Sequence, residues 1–333
     1  MLVEVFESID DCPAGWDRLA TSYFQKKKFL KHCECNNYCQ QRYYVLKSGK
    51  KVKSCAVVYA LRVNLLTFAN LPSPIKIVIV GIPCSVSSPG IFGDLKHIFL
   101  LIKNIHEQER GLILCLNLEE YSFPDGWIVG RTLPTVVFNR KINNWNEYLS
   151  QLSSSYRRRY WQNESKFRDV VASETACQNF DVDMYQQYLA VYKRSNAKLE
   201  RLPIEFFRNL GEEFCLTKYQ YQKMLIGWNI TLSDANQYYF LFGGINYKTN
   251  DKHSFYFNML FDLLKKAIEK GKTYIDFGQT AEIPKMRLGG QLVEKRMIAF
   301  HRNIILQKLL KINKGILEYK NRIPVSHVFA RQE

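Results

Sequence analysis

Long apolar runs are missing from this 333-residue chain, and none approaches the eighteen or so residues that a bilayer-spanning helix needs. The amino-terminal stretch Met1 to Trp16 carries acids where a secretory leader carries bases. A cytoplasmic location is the resulting expectation. Histidine is scarce, at six residues. The densest group of soft ligands, His32, Cys33, Glu34, Cys35 and Cys39, has a spacing that fits no standard structural zinc site, so no metal is expected. The nine cysteines are odd in number, and Cys115 sits inside the apolar run Ile113 to Leu116, as a reduced core thiol does. Acid is short relative to base: 31 Asp and Glu face 47 Lys and Arg, a formal charge of +16. That excess implies attraction to something anionic, whether nucleic acid, a phosphorylated ligand or an acidic membrane surface.

Apolar residues make up 47% of the chain and aromatics 14%, far more than a disordered chain carries. The length suggests two cores rather than one, and the order of elements supports this. In the first half, Tyr43 to Leu46, Val52 to Val63 and Ile75 to Val80 read as strands. A Gly, Pro and Ser-rich loop follows from Gly81 to Gly93. Leu95, Ile98, Phe99, Ile102 and Ile105 then recur at helical spacing before the strand Leu112 to Leu118. The second half repeats this order. Leu216 to Leu225, Trp228 to Leu232 and Tyr238 to Phe242 read as strands, with turns near Gly227 and at Ser233 to Asn236, and Gly243 to Ser254 reads as a loop. The stripe Phe257, Leu260, Phe261, Leu264 and Ile268 marks a helix closed by Gly271, and Thr273 to Phe277 reads as the next strand. Helical stretches are predicted over Trp145 to Arg168, Met184 to Arg194 and Ile204 to Glu213. Two copies of a mixed α/β unit suggest duplication. The division is placed at 140/141, giving a degenerate first domain over 1–140 and a second over 141–333 that carries the working cleft.

The segment Gly271 to Thr280, with Asp276-Phe277-Gly278 ending a strand, is followed by Lys285-Met286-Arg287-Leu288-Gly289. Together with the arginine-rich stretch Tyr148 to Arg159, these residues resemble the Fem-type, peptidoglycan-biosynthesis-like branch of the GNAT superfamily. The resemblance implies an α/β fold with mixed sheets and two tandem GNAT-like N-acyltransferase domains. It implies transfer of an acetyl, acyl or aminoacyl group from acyl-CoA or aminoacyl-tRNA to a small-molecule or lipid-linked amine, in cell-envelope or peptidoglycan-related biosynthesis. It also implies that Lys285 meets the donor's phosphate or acyl carbonyl, where a lysine acts as a compact point charge.

Acyl transfer to an amine needs a site for a polyanionic donor, a group that takes the ammonium proton, and donors for the oxyanion. Asp276 and Glu282 are the candidates for the proton acceptor or for orienting the amine, with Asp276 as a cap on the Gly278 turn the competing reading. His253 is a third candidate base. Gly243, Gly244 and Ser254 precede a helix whose amino terminus suits an anion, and Ser254 also fits an N-cap. The loop lacks the Arg or Gln followed by Gly-x-Gly or Gly-x-Ala with which ordinary GNAT enzymes hold the CoA pyrophosphate. Arg157, Arg158 and Arg159 cannot share one helix face, because each step rotates about 100 degrees, so at most one or two would meet a donor such as tRNA; Arg157 is the one assigned. Asn303 to Arg322 reads as a basic amphipathic segment that would lie on an anionic inner membrane face or pack on its own domain. The rival to an enzyme is a non-catalytic protein that keeps the tandem fold and binds RNA or an anionic membrane through its basic surface.

Overall fold

A computed structural model describes residues 1–64, 74–84, 86–195, 200–235, 237–316, 318–320, 323–324 and 326–330. Ser85 of the first loop, the turn residue Asn236, and Leu317 and Arg322 of the basic segment lie outside the described residues. The chain forms two compact units: Met1–Pro134 with Leu199–Pro203 and Glu294–Asn321, and Thr135–Lys198 with Ile204–Val293 and Arg322–Glu333. The division expected at 140/141 falls six residues from the first crossing. The strand that follows residue 293 nevertheless returns to the first unit, because its partners are strands of that unit's sheet.

In the first unit the elements run β1 (Leu2–Phe6), α1 (Trp16–Leu19), α2 (Lys27–Asn36), β2 (Gln41–Ser48), β3 (Lys51–Asn64), β4 (Pro74–Val80), β5 (Ile91–Gly93), α3 (Leu95–Gln108), β6 (Leu112–Leu118) and β7 (Ile128–Arg131). In the second they run β8 (Thr135–Asn139), α4 (Trp145–Gln151), α5 (Ser154–Glu164), β9 (Val170–Thr175), α6 (Val182–Arg194), α7 (Ile204–Arg208), β10 (Phe214–Tyr221), β11 (Met224–Asp234), β12 (Gln237–Ile245), α8 (Asn250–His253), α9 (Phe255–Glu269), β13 (Tyr274–Gln279), α10 (Glu282–Met286) and β14 (Gln291–Val293). β15 (Arg296–His301) and α11 (Ile304–Ile312) complete the first unit. Each unit is built on a mixed sheet. One has the order β1-β2-β3-β4-β6-β15-β7 with β5 beside β3, the other β14-β8-β13-β12-β11-β10-β9. The repeated order of three antiparallel strands, a crossover helix and a parallel strand is present twice: β4 and β6 pair in parallel around α3, and β12 and β13 around α9.

The apolar stripes fall where the periodicity puts them. In α3, Ile98, Leu101, Ile102 and Ile105 are buried against Tyr44, Val78 and Ile113. In α9, Leu260, Phe261, Leu264 and Ile268 enter the core with Ile275 and Phe277.

Four local readings change, the first being the helix expected over Ile204 to Glu213, which ends at Arg208. The segment from Trp145 is two helices, because the chain between α4 and α5 turns out of helical geometry at Leu152, which forms a bridge with Phe329. The turn expected near Gly227 lies at Gln222 and Lys223, both left-handed, and Gly227 is inside β11. A Cβ there would sit 2.1 Å from the Phe255 ring, so packing rather than turning requires the glycine. The loop expected from Gly243 begins later, since β12 runs on to Ile245, with Gly243 paired to Asn229 and Gly244 to Trp228.

Candidate functional site

Parallel pairing of β12 with β13 covers only Gln237 with Tyr274, Tyr238 with Ile275 and Tyr239 with Asp276. Beyond Asp276 the two strands separate, and no other strand among the described residues joins that edge of β12. Such a split leaves backbone amides on the exposed edge able to bond an extended ligand.

Asp276 stands where the strands part. It is 5% exposed, and its Oδ1 accepts from the Thr135 hydroxyl at 2.6 Å and from the Gly278 amide at 2.7 Å. The second bond is an Asx-type turn. It holds Gly278 at a φ of 73°, a left-handed conformation that glycine adopts without a steric penalty. Next come Thr280 and Ala281, with φ of 61° and 48°, non-glycine residues for which this region is strained by roughly 1–2 kcal/mol each.

Lys285 explains how that turn persists. The resemblance casts it as a displayed cation, but the structure places it 2% exposed, with Nζ donating to the carbonyls of Gly278 at 3.1 Å, Gln279 at 2.8 Å and Thr280 at 2.7 Å. An ammonium has three N–H bonds, and all three are used on backbone. Burial pulls its pKa from 10.5 down to about 7, while Asp276 and Glu282 act in the opposite direction. Glu282 opens α10, half-buried. Its charge also contributes, after burial and Tyr247, to raising the pKa of the Tyr256 phenol.

A pocket of about 470 Å³ reaches the α10 region that follows this turn. One wall is α5 and the turn after it, through Arg159, Gln162, Asn163 and Lys166. The opposite wall is the α8–α9 junction, through Asn250, Asp251, Ser254, Tyr256 and Phe257; Pro284 and Arg287 of the α10 region close it. Three cations thus face one acid, Asp251. The walls are stitched together by Asn258, whose side-chain amide donates to the Asn163 carbonyl at 2.9 Å and the His253 carbonyl at 3.0 Å. His253 adds a bond between Nδ1 and the Lys166 carbonyl at 3.2 Å.

The sequence candidates scatter around this pocket. His253 is 4% exposed and packed on Tyr221, with Nε2 buried without a hydrogen-bond partner; it joins the walls and does not line the pocket. Ser254 lines it, but with φ 45° and ψ 42° its side chain makes no cap, since capping needs an extended backbone at that position. Asn250 does this work instead, its Oδ1 accepting from the Tyr256 amide at 3.2 Å. Gly243 and Gly244 are strand residues, and a Cβ on Gly244 would lie 2.0 Å from Trp228 Nε1, so that glycine makes room for an indole. Arg157 donates to the carbonyls of Ser150 and Leu152, finishing α4. With Arg158 and Trp161 it borders an adjoining surface groove that shares only Gln162 with the pocket, while Arg159 alone of the three arginines lines the pocket. Tyr256 carries no motif signal of its own, while Arg287 lies inside the segment Lys285 to Gly289 and Asn250 inside the loop 243–254 without either being singled out. Thr135 was equally silent, because its role appears only once β8 pairs with β13. Among the described residues no group of three or more His, Cys, Asp or Glu could hold a metal ion.

Residues 154–286, which contain every lining residue of this pocket but Arg287, match the family described as Acetyltransferase (GNAT) domain. No curated protein matches the chain. Among solved structures, FemX is similar at 13% identity and a TM-score of 0.55, over 93% of this chain and all of that one. The structure of L-PGS from Bacillus licheniformis is similar at 11% identity and TM-score 0.52, over 91% and 95%. A conserved protein of unknown function from Bacteroides thetaiotaomicron gives 10% identity and 0.53, over 90% and 100%. At these identities the likeness is one of fold.

Proposed function

We propose that this chain, whose second half carries a GNAT acetyltransferase domain, transfers an acyl or aminoacyl group to an amine. The observation that carries this reading is the basic pocket at the start of α9. Arg159, Lys166 and Arg287 surround the first turn of a fifteen-residue helix, whose dipole favours an anion at that end, with the Tyr256 amide already taken by Asn250. The phosphates of acyl-CoA and the backbone of aminoacyl-tRNA share this chemistry. The reacting carbonyl would enter the split between β12 and β13, whose free edge supplies amides for the donor chain and for the oxyanion.

In the step itself, the neutral amine nitrogen attacks the acyl carbon and the bond to the leaving thiolate or ribose oxygen breaks. One proton leaves the amine for a base, and the leaving group is protonated on departure. Glu282, half-buried at the turn beside Tyr256, is the base in this reading. Asp276 and Lys285 hold the turn 278–281 that positions it, so they are positioning residues. The acceptor is a small or lipid-linked amine of cell-envelope chemistry, and acyl-CoA and aminoacyl-tRNA are the two donors to distinguish.

Thermal melting with acetyl-CoA, a long-chain acyl-CoA and charged tRNA separates them. A donor present at a hundred times its Kd stabilises the fold by about 2.7 kcal/mol. One donor should raise Tm in wild type and raise it by about half as much in Arg287→Ala, because tenfold weaker binding leaves about 1.4 kcal/mol of that stabilisation. If none shifts Tm and no amine in a panel is acylated, the reading is wrong. Stabilisation without turnover would instead favour a binding protein on the same fold.

A further inference from the structure

The helix α11 presents an apolar face to solvent, and no buried cluster among the described residues takes in that face. Ile304, Ile305 and Ile312 are 72%, 70% and 80% exposed, and Leu306 and Leu309 are also open to solvent. The helix is not adrift. Asn303 caps it by accepting from the Ile305 and Leu306 amides, Gln307 accepts from the His301 amide at 2.7 Å, and Leu310 packs against the cluster of Tyr59, Ile77 and Leu112. One side is therefore already spent on the fold. At about 100 degrees per residue, Ile312, Ile305, Leu309 and Leu306 form a continuous strip next to that side. Lys308 and Lys311, both exposed, run along the strip's far edge.

The charge around the strip has one sign. From Lys295 to Leu317 the sequence holds Lys295, Arg296, Arg302, Lys308, Lys311 and Lys314 and no acid at all. Of the acids that bracket the stretch, Glu294 already pairs with Arg296 at 3.3 Å. Packing two such faces together would set these cations against each other, in a chain with a net charge of +16. A surface that offers both hydrocarbon and negative charge satisfies the strip and its rim together.

We propose that α11 is a peripheral membrane anchor, which lies in the interface of an anionic bilayer with Ile305, Leu309 and Ile312 among the acyl chains and Lys308 and Lys311 among the phosphates. Its nine residues span about 14 Å, so it lies along the surface and cannot cross.

The test sediments the full chain with vesicles of phosphatidylcholine alone or mixed with phosphatidylglycerol. Binding should favour the anionic vesicles by about tenfold or more. It should fall by a similar factor in Ile305→Ser/Leu309→Ser/Ile312→Ser and, separately, in Lys308→Glu/Lys311→Glu. A basic protein adheres to anionic vesicles through charge alone, so insertion is read independently. In Ile305→Trp the introduced indole should be quenched by phosphatidylglycerol vesicles carrying brominated acyl chains. Full binding by the serine variant, or an unquenched indole, overturns the proposal. So does a concentration-dependent dimer that the serine variant dissolves, which would assign the face to a second copy. The substituted side chains already lie in solvent, so unchanged melting of the variants should accompany these results; a variant that fails to fold leaves the indole measurement to decide.

Discussion

The Lys285 ammonium lies 2.7 Å from the carbonyl of Thr280, a residue held left-handed at φ 61°. A buried cation thus secures a strained turn from beneath, and the carbonyls of Gly278 and Gln279 complete its coordination. Strain of this kind persists only where surrounding contacts over-determine it.

Replacing Lys285 by Met removes three hydrogen bonds to partly buried backbone carbonyls, a loss of about 2–3 kcal/mol after the turn relaxes and water reaches the freed groups. The variant should also change the pH dependence. Because burial lowers the folded-state pKa from 10.5 to about 7, the unfolded chain binds more protons at this site throughout that interval, and the group's contribution to stability rises as pH rises from about 7 to 10.5. Below pH 7 the cost of burying the charge is fully present. Denaturant melts of wild type and Lys285→Met across this range should show wild type gaining on the variant with pH. A constant difference would mean that the lysine is not buried as described.

Asp276 and Thr135 lie 141 positions apart yet share a 2.6 Å hydrogen bond. Asp276→Asn should loosen the turn and lower kcat with little effect on donor affinity, since neither residue lines the pocket. A double-mutant cycle of Asp276→Asn with Thr135→Val should give a coupling of about 1 kcal/mol in stability. Full additivity would show that the hydroxyl does not hold the carboxylate.

The strands and long helices were legible because periodicity reports burial, and burial is a local pattern: Ile275 and Phe277 of the expected strand enter the core, and α3 and α9 begin and end close to their predicted limits. What escaped depends on partners distant in the chain. Nothing near Lys285 says whether an ammonium points to solvent or folds back on three carbonyls. Gly244 resembles a phosphate-loop glycine until Trp228 is seen against it, and Ser254 resembles an N-cap until its backbone proves left-handed. The basic pocket itself is assembled from α5, the α8–α9 junction and the α10 region, whose proximity no local spacing encodes.

Gly244→Ala separates a packing glycine from a ligand-binding one. The added methyl would lie 2.0 Å from the indole nitrogen of Trp228, which is buried and donates to the Met184 carbonyl at 3.0 Å. The strand cannot yield without disturbing its ladder with β11, so overpacking should cost about 3 kcal/mol or more. Tm should fall sharply in the absence of any donor. A variant that melts like wild type but binds donor poorly would return the glycine to the ligand site.

Arg159 and Arg287 approach the pocket from α5 and from the end of α10, and both are exposed. Their removal should leave the fold intact, within about 0.5 kcal/mol. If they meet donor phosphates, each Arg→Ala change should weaken donor binding by about tenfold, equivalent to about 1.4 kcal/mol, and should flatten the dependence of Kd on salt. Arg157→Ala is the control, because its guanidinium is engaged with the end of α4 and borders a different groove. It should leave donor Kd and its salt dependence unchanged and lower Tm slightly. Isothermal titration at two ionic strengths reads all three variants. Equal loss in Arg157→Ala and Arg287→Ala would point to a diffuse electrostatic attraction and not to a pocket.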